Sequence, residues 1–164
     1  MRIAVISDTH DHLENLLTAI QILKAESVTT ILHCGDLCGP EVVHAMADFD
    51  VWIAEGNMDI GVTLDQLIRE TFGAGRFSWL QRIVLDGYSI AMIHGDDEAA
   101  LGDLIFSGQH AYVFHGHTHR RRDRQIGQTR VINPGALGSS RYEACSFCIL
   151  DLETDDAQFV ILDE

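Results

Sequence analysis

Residues 1–10 read MRIAVISDTH, an apolar run that ends in two potential metal ligands, Asp8 and His10. The run from Ile3 to Ile6 contains no polar side chain, which is typical of a strand buried on both faces. Residues two apart leave the same face of an extended chain, so Asp8 and His10 would converge on one ion if the strand stays extended there. The alternative for Asp8 is a cap of the helix that follows.

Four later segments repeat this arrangement, each after an apolar run: Gly35-Asp36, Gly56-Asn57, His94-Gly95 and Gly116-His117-Thr118-His119. Open α/β sheets build their sites at the carboxyl ends of strands. Seven side chains are therefore candidate ligands at one sheet edge: Asp8, His10, Asp36, Asn57, His94, His117 and His119. The Asp36 carboxylate has two oxygens and could bridge two cations, whereas His94 taken alone could equally be a core or loop histidine.

Hydrophobic periodicity predicts how the chain is organised. Helices are expected over 12–25, 40–48, 63–72 and 97–106, and strands over 2–7, 29–34, 50–54, 79–86, 88–94, 111–115, 121–126, 128–132, 144–152 and 157–162. The first five elements form a βαβαβ unit, and Asp86-Gly87 indicates a hairpin. Because both halves bring ligand segments to a sheet edge, we expect an α/β fold. Its architecture would be a four-layer α-β-β-α sandwich with two mixed sheets.

Length and composition indicate a single domain over residues 1–164, since 164 residues with 46% hydrophobic content can bury a core. No apolar run reaches the roughly 18 residues of a membrane span. The N-terminus passes directly into a strand and does not resemble a signal peptide, so a cytoplasmic location is expected. The oligomeric state is left open.

The charge is strongly acidic, with 11 basic and 25 acidic residues and a net charge of −14. Such a chain repels nucleic acid and anionic membranes at long range. The arginines concentrate late in the chain. Arg120, Arg122 and Arg124 alternate, so on a strand they would share one face and could hold a substrate phosphate; a solvated basic edge is the alternative, and Arg141 is a weaker candidate.

Four cysteines, Cys34, Cys38, Cys145 and Cys148, raise the alternative of a structural zinc site. Cys145 and Cys148 lie in an apolar run expected to be a strand, where positions three apart point to opposite faces. Buried, reduced cysteines are therefore favoured.

The ordered segments DxH, GD, GN, GH and GHxH over residues 8–119 resemble the calcineurin-like metallophosphoesterase family. The short chain and its Asn133-Pro134-Gly135 are similar to the small bacterial and archaeal phosphodiesterases of that family. The resemblance implies two metal ions that share Asp36. One would be held by Asp8, His10, Asp36 and His119, and the other by Asp36, Asn57, His94 and His117. His33 and His115 are expected to support or pack against the site, and His44 and His110 to lie apart from it.

The chemistry agrees with this resemblance. Two divalent ions about 3.5 to 4 Å apart can share a deprotonated water and neutralise charge on a phosphoryl group. Mixed nitrogen and oxygen ligands suit manganese, nickel, iron or zinc, and the resemblance favours Mn²⁺. The expected function is a metal-dependent phosphodiesterase that acts on a small phosphoester.

Met58 departs from the family pattern, because many members have at this position a histidine that protonates the leaving oxygen. A thioether cannot donate a proton, so the resemblance implies diesters with good leaving groups. His12 and Asp59 are the nearby candidates for a replacement acid. The alternatives are that His12 only begins the first helix and that Asp59 only caps or binds backbone amides.

A non-catalytic, protein-binding scaffold is the main alternative function, because one retromer subunit in eukaryotes resembles these small members. The presence of all seven ligands favours hydrolysis. A nuclease would need an electropositive groove that this acidic chain does not supply. The physiological substrate would be determined by pocket shape around residues 58–80 and 95–108, which the sequence does not resolve.

Overall fold

The computed structural model describes residues 1–162, and in this range the chain forms four helices and eleven strands. The helices are α1 (Leu13–Ala25), α2 (Pro40–Ala45), α3 (Val62–Phe72) and α4 (Glu98–Phe106). The strands are β1 (Arg2–Ile6), β2 (Thr30–His33), β3 (Asp50–Ala54), β4 (Phe77–Ser78), β5 (Leu80–Leu85), β6 (Tyr88–Ile93), β7 (Tyr112–Phe114), β8 (Arg122–Ile126), β9 (Thr129–Asn133), β10 (Ser146–Asp151) and β11 (Asp156–Ile161).

The strands form two mixed sheets. The first has the order β11-β10-β1-β2-β3-β4, in which β1 to β4 are parallel, β10 is antiparallel to β1, and β11 is antiparallel to β10. The second has the order β5-β6-β7-β9-β8, with β6, β7 and β9 parallel. The predicted βαβαβ unit and the hairpin between β5 and β6 are both confirmed.

The apolar side chains of the strands form three separate layers of core. One contains Ile6, Leu16 and Phe147 and lies between the first sheet and its helices, and a second contains Val5 and Phe114 and lies between the sheets. The third joins residues of α4 to the outer face of the second sheet. Successive residues of β1 thus enter different layers, which explains its uninterrupted apolar run. The predicted four-layer sandwich is confirmed.

The cysteines follow the same alternation. Cys145 packs on the helix side of the first sheet, whereas Cys148 packs between the sheets, where burial raises the pKa of its thiol to about 12. The two side chains therefore point to opposite faces and cannot hold one ion together. The expectation that these two cysteines are buried is confirmed.

Most predicted elements differ from the structure by no more than one or two residues at each end, and two differences are larger. Strand β4 was not predicted, because two residues carry no readable alternation and their pairing with Ile53 and Ala54 is a tertiary contact. Helix α2 ends at Ala45 instead of 48, because the amide of Phe49 turns back to the carbonyl of Met46. Within residues 1–162, no helix has the length and apolar content needed to cross a membrane.

Candidate metal centre

The loops after β1, β2, β3, β6 and β7 meet at one edge of the sandwich and bring all seven predicted ligands together. In the first group, Asp8 Oδ1 lies 3.2 Å from His119 Nε2 and 3.8 Å from His10 Nε2. The two histidine Nε2 atoms are 3.2 Å apart, and His10 Nε2 is 3.9 Å from Asp36 Oδ2.

The second group is centred on the ring of His94. Its Nε2 lies 3.4 Å from Asp36 Oδ2, 3.1 Å from Asn57 Oδ1 and 3.3 Å from His117 Nδ1. The other ring nitrogen, Nδ1, donates to the carbonyl of Cys34 at 2.8 Å, which leaves the lone pair of Nε2 facing the other donors. Asp36 Oδ2 therefore borders both groups.

Apart from the 3.8 and 3.9 Å distances from His10 Nε2 to the two carboxylates, these separations match those of donors around one metal cation. Nitrogen and oxygen donors that each bind one ion at about 2.1 Å lie roughly 3.0 to 3.4 Å from one another. Asp8 Oδ1 is buried and has no hydrogen-bond partner, although a buried unpaired carboxylate oxygen is costly. A cation between the donors satisfies this oxygen and removes the repulsion between facing lone pairs.

The two central carboxylates are oriented by hydrogen bonds on their other oxygens. Asp8 Oδ2 accepts from the Ser7 hydroxyl at 2.6 Å and from the His117 amide at 3.1 Å. Asp36 Oδ1 accepts from the Met58 amide at 2.8 Å. Only one oxygen of Asp36 therefore remains to face the two groups, whereas the sequence suggested that both could bridge.

Positive charge is favoured at this position. Burial works to raise the pKa of Asp36, but His94 and the Met58 amide outweigh it and lower the pKa of the carboxyl. Burial likewise works to lower the pKa of His94, yet the Asp36 hydrogen bond and the Asp8 charge raise it to about 9. A proton on His94 Nε2 and a cation bound by Asp36 and the Nε2 lone pair would therefore exclude each other at this position.

Five of the ligand residues have left-handed backbones. The φ angles are 54° at Asp8, 45° at His10, 56° at Asp36, 64° at His117 and 56° at His119. Side-chain-bearing residues adopt this region at a cost of about 1–3 kcal/mol each, and such residues cluster at functional sites. The expectation of an extended Asp8–His10 segment is therefore wrong: β1 ends at Ile6, and the two side chains converge through a twisted loop.

Gly116 allows the histidine loop to approach β1. A Cβ atom at this residue would lie 1.8 Å from Ser7 Oγ and 2.6 Å from Asp8 Oδ2. Any side chain here would displace the Ser7–Asp8 hydrogen bond, so the glycine is required by close contact rather than by backbone torsion.

Asp59 connects two ligand loops. Its Oδ2 accepts from the amides of Asp36 at 2.8 Å and Gly56 at 2.9 Å, and its Oδ1 accepts from Cys38 at 2.9 Å. Burial raises the pKa of Asp59 although these amides oppose the rise. Of the two readings of Asp59, the structure favours the binding of backbone amides. Asp59 thereby positions Asp36 relative to Asn57.

The other histidines have distinct positions. His33 is buried between the Thr9 hydroxyl, 2.9 Å away, and the Gly35 amide, 3.2 Å away, and so supports two ligand loops. His115 is buried beside Gly116. His12 caps α1, because its Nδ1 accepts a hydrogen bond from the Asn15 amide. The cap of this helix is therefore His12 and not Asp8, the alternative that the sequence left open. His44 is exposed on α2 and His110 bonds Ser89, both outside the two ligand groups.

The arginines do not form the single row that their spacing suggested. Arg122 and Arg124 lie on β8, but Arg120 precedes the strand. The guanidinium carbon of Arg120 lies 4.8 Å from the ring centroid of Tyr142, and the guanidinium carbon of Arg141 lies 5.1 Å from the same centroid. The Tyr142 and His119 ring centroids are 6.2 Å apart. The structure thus brings Arg120 and Arg141 to one aromatic ring beside the candidate ligand His119.

Comparison with known proteins agrees with this geometry. The model of the calcineurin-like phosphoesterase superfamily domain matches residues 1–155. The chain belongs to this superfamily. Members use divalent metals, and the predicted class, a hydrolase of phosphoester bonds, is confirmed by the family.

Two archaeal relatives extend over nearly the whole chain. A phosphodiesterase from Methanocaldococcus jannaschii is 30% identical over 99% of this chain and 100% of its own length. A probable metallophosphoesterase from Methanothermobacter thermautotrophicus is 25% identical over 98% of this chain and 92% of its own.

Solved structures of the superfamily share the fold. The structure of an archaeal phosphodiesterase covers 99% of this chain and 100% of its own, with a TM-score of 0.89 and 30% identity. The structure of Vps29 from Chaetomium thermophilum covers 99% of this chain and 94% of its own, with a TM-score of 0.73. Because the identity is 15%, this likeness concerns the fold alone.

Replacing Asp59 by Asn should loosen the centre, because the amide NH₂ group would face a backbone N–H. We expect a loss of about 1–3 kcal/mol in the free energy of unfolding and a roughly 10- to 100-fold weaker affinity for Mn²⁺. Denaturant titration and metal-binding calorimetry measure the two effects. Asp48→Asn, which changes an exposed ion pair with Lys24, is the matched control; equal metal affinity in both variants would contradict the positioning role.

The metal-free protein should lose stability as the pH falls. Burial lowers the pKa of His33 from 6.5 to about 4, so below pH 6.5 the unfolded chain binds a proton that the folded chain does not. The free energy of unfolding should therefore decrease between pH 6.5 and 4 by about 1.4 kcal/mol per pH unit for this residue. His115, whose pKa burial also lowers to about 4, adds to the slope.

Urea titrations in chelator at several pH values measure this slope. His33→Gln should reduce the slope by about 1.4 kcal/mol per pH unit, the contribution of one proton. His44→Gln, at an exposed position, should leave the slope unchanged. A slope that is identical in the wild type and in His33→Gln would refute the assignment.

Proposed function

We propose that this chain is a metal-dependent phosphodiesterase that holds two divalent ions, with Asp36 shared between them. The observation that carries the proposal is the position of Asp36 Oδ2, which lies 3.9 Å from His10 Nε2 in one donor group and 3.4 Å from His94 Nε2 in the other. The phosphodiesterase activity of the M. jannaschii relative supports the choice of diesters.

The proposed ligand sets follow the two groups. The first set is Asp8, His10, Asp36 and His119, and the second is Asp36, Asn57, His94 and His117. The donors are oxygen and nitrogen atoms without thiolate, which suits Mn²⁺ and also Ni²⁺, Fe²⁺ or Zn²⁺. We propose Mn²⁺ as the working ion. The single-domain organisation and the cytoplasmic location stay predictions.

When bound, the ions supply activation of a water nucleophile and neutralisation of phosphoryl charge. The chain contributes the geometry. Hydrogen bonds to Asp8 and Asp36 turn one oxygen of each toward the centre, and the carbonyl of Cys34 holds the ring of His94. These fixed contacts mean that little reorganisation is needed when a substrate arrives.

The candidates for protonating the leaving oxygen are unsuited to it. Met58 is 51% exposed beside Asn57 and carries no proton to donate. Asp59 uses both oxygens on backbone amides, and His12, which caps α1 through Nδ1, belongs to neither donor group. We therefore propose substrates whose leaving group departs without protonation.

The scaffold alternative rests on the fold shared with Vps29. The convergence of all seven ligand side chains on two donor groups, with a buried carboxylate oxygen left unpaired, favours catalysis. A protein-binding role would not need this arrangement.

Cleavage rates should depend steeply on the leaving group. Without a general acid, aryl phosphodiesters should exceed alkyl diesters in kcat/KM by at least about 100-fold, the lower range of what such an acid contributes. A series of diesters with graded leaving-group pKa measures the dependence. Met58→His should flatten it by restoring a donor, whereas a dependence that is already flat in the wild type would contradict the proposal.

Replacing Asp36 by Asn should abolish the centre, because the shared carboxylate loses its charge. Activity toward bis(4-nitrophenyl) phosphate should fall by more than about 100-fold, since even residues behind a ligand are worth 10- to 100-fold, and metal content should fall with it. Metal analysis and initial rates measure both quantities. Asp48→Asn is the control, and full activity in Asp36→Asn would overturn the mechanism.

A further inference from the structure

Arg120, Tyr142 and Arg141, called here the arginine–tyrosine cluster, form a cationic surface beside the metal centre. Both guanidinium groups contact the ring of Tyr142, at 4.8 and 5.1 Å from its centroid, and this ring lies 6.2 Å from that of His119. A guanidinium group stacked on an aromatic ring is attracted to the face of that ring. The two charges are thus held next to a candidate metal ligand.

The charges of the cluster are not neutralised by the protein. In the described part of the chain, neither Arg120 nor Arg141 forms an ion pair, whereas neighbouring Arg121 pairs with Glu143 and Arg130 pairs with Asp123 and Asp155. Other arginines, such as Arg82 and Arg124, also lack an ion pair among the described residues, but only Arg120 and Arg141 share one aromatic ring there. Two like charges at one ring repel each other, and an anion between them would remove that repulsion.

The side of the centre at Asn57 has the reverse character. A cavity of about 360 Å³ beside Asn57 is lined by the acidic side chains of Glu55 and Asp96 and by the apolar surfaces of Ile60 and Trp79. Trp79 is 46% exposed and offers a ring to a flat group. Carboxylates here repel an additional anion, so the centre lies between a cationic wall and an acidic, apolar one.

We infer that the substrate is an unsymmetrical phosphodiester and that the arginine–tyrosine cluster binds a second phosphate carried by one of its ester groups. The other ester group, which is flat and carries no phosphate, occupies the cavity at Trp79 before cleavage. Water adds to phosphorus as the bond to this group breaks, and the group departs as an anion that Glu55 and Asp96 repel from the cavity. This inference rests on the proposed phosphodiesterase function and adds a substrate class and a direction of binding.

A phosphate matches the chemistry of the cluster. Guanidinium groups present paired N–H donors in a planar fork that fits phosphate oxygens, and such charge-assisted bonds are stronger than neutral ones. The Tyr142 hydroxyl adds a further donor. Both guanidinium carbons lie within 5.1 Å of the Tyr142 centroid, so the second phosphate is placed beside this ring, whereas the reacting phosphate would lie at the candidate metal ligands.

Two chromogenic substrates with the same leaving group test the inference: thymidine 5′-(4-nitrophenyl phosphate) with and without a 3′-phosphate. The 3′-phosphate should lower KM by about tenfold, which corresponds to about 1.4 kcal/mol of binding, and leave kcat nearly unchanged. In Arg120→Ala/Arg141→Ala the two substrates should have equal KM values. Metal content should stay unchanged in that variant.

The matched control is Arg124→Ala combined with Arg82→Ala. Both arginines are exposed and without an ion pair among the described residues, as in the cluster, but they lie outside the Tyr142 contact. This control removes the same net charge. If the substrate with the 3′-phosphate keeps its lower KM in the control variant, the effect comes from local contact with the cluster and not from the net charge of the protein. Equal loss of the preference in both double variants would overturn the inference.

Direct binding separates the inference from the proposed activity. Calorimetry in the presence of Mn²⁺ compares thymidine 3′,5′-bisphosphate with thymidine 5′-phosphate, neither of which requires turnover. Preferential binding of the bisphosphate that disappears in Arg120→Ala/Arg141→Ala supports the cluster even if no diester is cleaved. Equal affinities in the wild type overturn the cluster assignment even if both diesters are cleaved.

Discussion

The buried carboxylate of Asp36 is the group on which the rest of the centre depends. One oxygen accepts from the Met58 amide, and the other faces His10 in the first donor group and His94 in the second. A buried carboxylate is stable only with such partners. The amide of the same residue donates to Asp59, so its main chain and its side chain are both tied to the loop that carries Asn57.

The sandwich supplies the rigid frame for this arrangement. β1, β2 and β3 deliver three ligand loops from the first sheet, and β6 and β7 deliver two from the second. The core between the sheets, which includes Val5 and Phe114, holds the two edges in register. The left-handed backbones at the ligands require support, and the packed strands behind them provide it.

The surroundings of the centre shape its chemistry as much as the ligands do. Met58 removes the usual proton donor, and Asp59 serves structure instead of acid catalysis. The cationic surface at Tyr142 and the acidic, apolar cavity at Trp79 give the two sides of the centre opposite preferences. In the function proposed for this chain, the candidate ligands account for the reaction class and these two surfaces account for the choice of ester.

The sequence by itself determined the order of elements, the two-sheet sandwich, the superfamily and the positions where Asp36 and His94 fall at strand ends. These features are local, because periodicity and a short segment after a strand can be read within a few residues. Tertiary structure alone decided which oxygen of Asp36 faces the centre, that Asp59 binds three amides and that Arg120 and Arg141 share one ring. Each depends on loop backbones and on residues far apart in the chain, such as Asp36 and Asp59, 23 positions apart, whose contact no local pattern encodes.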